Sequence, residues 1–184
     1  SMTSPSVRLR TAACTCGQVA FETRGEPIVT AACYCTSCQT AGQNLEARHG
    51  APSVLEADGG TGYLLFRKDR VRCLRGQAHL REYRLTPASK TRRVVATCCN
   101  APIFLEFSGG HWLSIYKDRF AKADQPALDM RTMTRDRRPG VEFTDGLPSY
   151  KTHSGRFMWK LLTAWAAMGF RAPKIDYVSG TVDP

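Results

Sequence analysis

Cys33-Tyr34-Cys35-Thr36-Ser37-Cys38 joins a short run of β-branched and small residues, 28–33, to a stretch with few helix breakers, 36–45. Cys33 and Cys35 are two residues apart, so their side chains share a face of extended backbone. Cys35-x-x-Cys38 is a spacing that wraps one ion from a strand end into a helix start. With Cys38 in the first helical turn, backbone N–H groups and the helix dipole favour its thiolate. Three protein ligands leave one position of a tetrahedral zinc open. An incoming thiol bound there is deprotonated, because the metal lowers its pKa.

Two further groups lie on either side. Cys14-Thr15-Cys16-Gly17 precedes the central hexapeptide, and Cys98-Cys99 follows it, so the three groups hold seven of the eight cysteines. Thiols this close together, without a secretory signal, point to metal binding rather than disulfides. The count divides into four plus three: a closed four-cysteine zinc site and an open three-cysteine one. Cys14 and Cys16 are expected on one face of a strand, with Gly17 permitting a tight turn beside the sulfurs. Joined to Cys98 and Cys99, they would tie the start of the sheet to its middle, and a closed zinc site adds folding energy.

Cys98 and Cys99 pose a geometric question, because adjacent residues on an extended strand face opposite ways. In one arrangement the backbone turns and both thiols serve the first site. In a second, Cys99 completes that site with a non-cysteine ligand while Cys98 is free. In a third, Cys98 caps the central group and closes it. Cys73, in the apolar stretch Val71-Arg72-Cys73-Leu74, reads as a small buried hydrophobe. His49, His79, His111 and His153 have no second ligand at metal spacing and read as surface or internally satisfied histidines. Gly-rich phosphate loops, nucleophile elbows and H-E-x-x-H motifs are missing from the sequence.

Most of the chain reads as short strands. Residues 17–24 alternate Val19 and Phe21 with polar neighbours, and 63–66, 71–74, 78–85, 92–97, 103–107 and 112–116 continue the pattern. Gly59-Gly60, Arg75-Gly76, Thr86-Pro87 and Gly109-Gly110 supply turns. The expected class is mainly β, a sandwich, barrel or folded-over sheet with short helices. Residues 157–168 (FMWKLLTAWAAM) predict a C-terminal helix that packs on the sheet through Met158, Leu161, Leu162, Trp165 and Met168. Residues 117–150 read as a long polar connection.

A chain of 184 residues with 42% hydrophobic content is expected to build one globular core. No apolar run is long enough to span a bilayer, and the N-terminus lacks a signal core, so a cytoplasmic, reducing setting is expected. The leading Ser1-Met2 reads as a cloning remnant. A formal charge of +10 favours an anionic partner: nucleic acid, an acidic surface, or a small anionic thiol such as glutathione.

The succession C-T-C-G, A-C-Y-C-T-S-C-Q-T-A-G and C-C-N-A-P-I-F resembles the glutathione-dependent formaldehyde-activating family, which includes centromere protein V. Thr144-Asp145-Gly146-Leu147-Pro148-Ser149-Tyr150 is similar to the segment that ends the family's domain. The resemblance implies a fold of folded-over antiparallel sheets, the β-tent, over residues 7–150. Residues 151–184 would add a helix and tail packed on the same domain. It also implies one structural zinc, with Cys14 and Cys16 among its ligands, and one catalytic zinc at Cys33, Cys35 and Cys38. Cys99 matches the second cysteine of the family's late C-x-x-C, whose first falls at Ala96; Cys98 is its replacement. Tyr34 stands where the family has histidine. The implied activity is that of a carbon–sulfur lyase forming S-hydroxymethylglutathione from glutathione and formaldehyde. The alternative is a non-catalytic zinc module binding nucleic acid or a protein partner.

Overall fold

The computed structural model describes residues 6–182, and several of its strands are buried on both faces. Ser1-Met2, read above as a cloning remnant, lies outside the described residues. In chain order the elements are β1 (Leu9–Ala13), β2 (Ala20–Arg24), β3 (Val29–Cys33), α1 (Thr36–Glu46), β4 (Thr61–Arg67), β5 (Val71–Arg75), β6 (Leu80–Tyr83), β7 (Thr91–Ala96), β8 (Ala101–Phe107), β9 (Trp112–Tyr116), β10 (Met130–Thr132) and α2 (Gly155–Ala167), with short 3-10 turns between some of them. They form a three-stranded sheet, β1-β2-β5, and a seven-stranded sheet, β10-β3-β4-β9-β8-β7-β6. The expected mainly β, folded-over architecture with a C-terminal helix is therefore the one observed.

Alternation along β4 shows how the larger sheet separates two cores. Leu64 and Phe66 point toward the small sheet, where Phe21, Val94, Phe104, Leu113 and Ile115 complete the first core. Phe21 meets Phe104 edge-on, with ring centroids 5.8 Å apart. Tyr63 and Leu65 point the other way, into a second core with Val29, Tyr116, Met130, Cys38 of α1, and Phe157 and Leu161 of α2. Each fully buried Leu, Ile or Phe contributes roughly 1.5–3 kcal/mol, so both faces of the large sheet stabilise the fold.

Several expectations need correction. Residues 9–13 carry β1, which alternation does not reveal because its inward Arg10 is polar yet only 3% exposed. Arg10 is satisfied by the carbonyls of Gly25 and Asp124 and by Glu26. Residues 117–150 are not all connection: β10 pairs with β3, in parallel rather than antiparallel register. Strands begin or end a few residues inside the expected ranges, as for β2 and β6. In α2 the buried stripe is Phe157, Leu161 and, just past the helix, Met168, while Met158 and Leu162 are exposed. The two stripes lie one residue apart on the helix, and the Ser154 cap, which accepts from the Phe157 N–H at 3.1 Å, fixes which one faces inward.

Beyond α2 the tail crosses to the other face of the large sheet. Ile175, Tyr177 and Val178 pack on the first core, and Glu82 of β6 exchanges backbone hydrogen bonds with Gly180 and Val182. No helix among the described residues is long and apolar enough to cross a membrane.

Candidate metal centres

The first thiol cluster forms where two turns meet. After β1 the chain reverses at Cys14–Gly17: the Gly17 N–H donates to the Cys14 carbonyl at 3.1 Å, and Gly17 adopts φ 82°. A turn, not the expected strand, therefore brings Cys16 beside Cys14. The Val19 N–H donates to Cys14 Sγ at 3.2 Å. Between β7 and β8 the Cys99 N–H donates to the Ala96 carbonyl at 3.3 Å, and Asn100 takes a left-handed φ of 59°. That reversal turns both Cys98 and Cys99 toward Cys14 and Cys16, the geometry that the first of the three arrangements above requires.

Cys14 Sγ lies 3.6 Å from Cys16 Sγ and 3.7 Å from Cys98 Sγ. All four sulfurs fall within 4.8 Å of one another. Disulfides would need sulfurs near 2 Å. A tetrahedral zinc with Zn–S bonds of about 2.3 Å sets its ligands about 3.8 Å apart, so the spacing fits a metal. The charge environment fits as well. Burial raises the Cys99 thiol, but hydrogen bonds with Thr15 and the backbone of Cys16 and Ala101 bring it down to about 6. Arg119 is 6% exposed, and its Nε and Nη1 have no hydrogen-bond partner among the described residues. Burial lowers its pKa, while Asp118 and the Cys99 and Cys14 charges oppose that. Four thiolates around a divalent ion leave net negative charge for that guanidinium to face.

The second cluster sits at the β3–α1 junction. Cys33 ends β3, Cys35 is the N-cap of α1, and Cys38 occupies the first turn as expected. Cys35 Sγ accepts from the Cys38 N–H at 3.3 Å, so the cap itself orients one ligand toward the other. The three sulfurs lie within 4.8 Å, and among the described residues no fourth Cys, His, Asp or Glu joins them. Cys35 ionises most readily. Hydrogen bonds from Cys33 and Cys38 hold it far below the usual thiol range, and the same sharing drives Cys33 up.

Several residues around this cluster escape sequence reasoning. Arg93 of β7 is 2% exposed, and its Nη2 donates to Cys38 Sγ at 3.5 Å. Burial pulls its pKa down, but Tyr116, Tyr63 and Cys38 raise it further, so the guanidinium is held charged. Its Nε has no partner among the described residues. Tyr63 Oη, paired across strands with Tyr116, lies 3.5 Å from Cys38 Sγ. His153, read as isolated, stacks on Phe157 at 5.0 Å; burial lowers its pKa, against the opposing influence of Cys35. Phe157 and Leu161 belong to the same core as Cys38, and Cys33, Cys35 and Tyr150 pack against that core.

Neighbouring loops brace the junction. Tyr34 Oη donates to Asp58 at 2.6 Å, and a Cβ at Gly60 would come within 2.6 Å of the Tyr34 ring. Arg131 of β10 forks onto Asp145 at 2.6 and 2.9 Å, and the Arg131 N–H and carbonyl bond Pro148 and Tyr150. The segment 145–150 is thus fixed to β10, next to the strand that ends in Cys33. Cys73 is half-buried against the first core, and its thiol donates to the Arg75 carbonyl at 3.5 Å.

A Rhodobacter sphaeroides protein of known crystal structure, a structural-genomics target, aligns with 16% identity over 76% of this chain and 98% of its own, at a TM-score of 0.42. No curated protein matches significantly. The sequence profile described as glutathione-dependent formaldehyde-activating enzyme matches residues 9–127, a span that contains both thiol clusters, and the chain accordingly belongs to that family.

Proposed function

We propose that this protein is a two-zinc member of its family in which the Cys14, Cys16, Cys98 and Cys99 site is structural and the Cys33, Cys35 and Cys38 site is catalytic. The observation that carries this reading is the unequal ligand count, four sulfurs in one cluster and three in the other. Zinc held by three thiolates would supply a position at which an incoming thiol loses its proton near neutral pH.

The chain's own residues account for the rest. Arg93 offsets the negative charge of the thiolates from within the core, where an unpaired charge would otherwise be costly. Tyr63 places a hydroxyl against Cys38 and so limits that ligand's freedom. Phe157 and Leu161, in the same core as Cys38, make the surroundings of that ligand apolar, which strengthens these interactions. The family's name points to the reaction: glutathione sulfur adds to the carbonyl carbon of formaldehyde. The C=O π pair moves to oxygen, and that oxygen takes up the proton lost from the thiol, giving S-hydroxymethylglutathione.

The test is direct. Metal-replete protein mixed with glutathione and 13C-formaldehyde should accelerate appearance of the S-hydroxymethyl resonance over the uncatalysed rate. Cys35→Ser should abolish that acceleration. Equal rates with and without protein would defeat the enzymatic reading, and two zinc ions per chain with no acceleration would leave the non-catalytic zinc module in its place.

A further inference from the structure

We propose that a second site, on the face of the large sheet opposite Cys38, binds a compact polyanion of the di- or triphosphate class. The separation of faces follows from β7 itself. Arg93 pairs across strands with Leu105 and reaches Cys38, whereas Arg92 pairs with Glu106 and points the other way. On that side lies a cavity of about 430 Å3, a volume in the range of small-ligand sites.

Five cations line it: Lys68, Arg84, Lys90, Arg92 and Lys174. Two carboxylates partly balance them. Glu106 binds Lys68 Nζ and Arg92 Nε at 2.6 Å each, and Glu82 lies 3.1 Å from Arg84 and 3.7 Å from Arg92. Three positive charges remain unbalanced. Lys90 and Lys174 have no acid within ion-pair distance among the described residues.

The floor of the cavity is organised in advance. The Lys68 side chain is only 3% exposed, so its ammonium is a fixed charge rather than a solvated surface lysine. Arg92 is held by Glu106 and also donates to the Ile175 carbonyl at 3.4 Å, which pins the tail as one wall. Ser108 adds a hydroxyl at the β8–β9 turn, where the Ser108 N–H already donates to the Lys90 carbonyl at 2.7 Å. Fixed cations need little reordering on binding, which favours affinity. Guanidinium forks with flanking ammonium groups match several phosphate oxygens at once. A bounded cavity of this size suits a compact anion rather than an extended backbone. The site shares no residue with the thiol clusters, so it stands whether or not the catalytic reading does.

Calorimetric titration of the metal-replete full chain with inorganic pyrophosphate and tripolyphosphate tests the proposal. One saturable site is expected, weaker in higher salt. The exposed pair K90Q/K174Q should bind about ten-fold or more weakly, since each loses a charge-assisted contact, while its urea midpoint stays that of the parent. The control pair K122Q/K151Q, outside the cavity, should bind as the parent does. Absence of polyphosphate binding, or equal binding by K90Q/K174Q, would overturn the site. A short DNA duplex separates the phosphate sources. Displacement of the duplex by tripolyphosphate supports the compact-anion reading, and duplex binding that tripolyphosphate does not displace refutes it.

Discussion

Replacing Cys98 and Cys99 together by serine should cost more stability than any change at the central cysteine group, and the difference can be worked from chain separation. The first cluster joins Cys14 to Cys98 across 84 residues. If a metal cross-links these points, the chain-entropy relation gives about 4.6 kcal/mol for restraining the unfolded chain. The central group closes only the six residues from Cys33 to Cys38, for which the same relation gives about 2.2 kcal/mol. Cys35→Ser is a fair comparison because serine is a good N-cap and can keep the bond that Cys35 accepts from the Cys38 N–H. The gap between the two variants should therefore be about 2.4 kcal/mol. Against a typical net stability of about 5–15 kcal/mol, the double variant loses a large share. Urea unfolding of zinc-loaded proteins, followed by tryptophan fluorescence, measures both values. If Cys35→Ser is destabilised as much as C98S/C99S, the division into a long-range clamp and a local site is wrong.

Arg93→Met should weaken zinc at the central group about 10–100-fold, the usual cost of losing an outer-shell partner, and leave the first cluster's metal in place; competition with a chromogenic chelator should show one fast and one slow zinc. Glu106→Gln strands Lys68, whose side chain is 3% exposed, and should cost about 3–5 kcal/mol. K68M/E106L, which removes both charges, should recover most of that in urea melts. His111 is held below its ordinary value of 6.5, first by burial and then by Lys68 and Arg67, against a hydrogen bond with the Leu161 backbone. The unfolded chain therefore takes up the proton first. The stability His111 contributes is complete above about pH 6.5 and falls as pH drops toward its lowered folded-state value. His111→Phe should flatten that part of the acid dependence of the urea midpoint between about pH 7.5 and 5.

The cysteine clustering was legible because its spacing is local: Cys35-x-x-Cys38 fits a helix cap and first turn whatever the rest of the chain does. Strands such as β4 and β8 were legible from apolar β-branched and aromatic runs. β1 was hidden by Arg10, a polar residue on the buried face whose partners lie 15 and more residues away. β10 has three residues, too few for a period to register. The orientation of Cys98 and Cys99 depended on one left-handed residue, Asn100, and a period-two rule cannot supply that. Arg93 and Arg119 are two among 26 lysines and arginines. The available signal for Arg93 was its place inside a strand running into Val94 and Val95, where a surface arginine is out of keeping. Nothing local marks Arg119, because Cys14 and Cys99, the thiols that act on it, come close only through the fold.

Arg92 and Arg93 are neighbours in the chain yet answer to different surroundings. Across related sequences the two positions should be inherited as if unlinked: residue 93 changing in step with the cysteines at 33, 35 and 38, and residue 92 in step with positions 68 and 106. A lineage that abandons the central thiols would then be free to replace Arg93 with an apolar residue while retaining Arg92. Where both arginines survive in such a lineage, the polyanion cavity cannot by itself explain the second one.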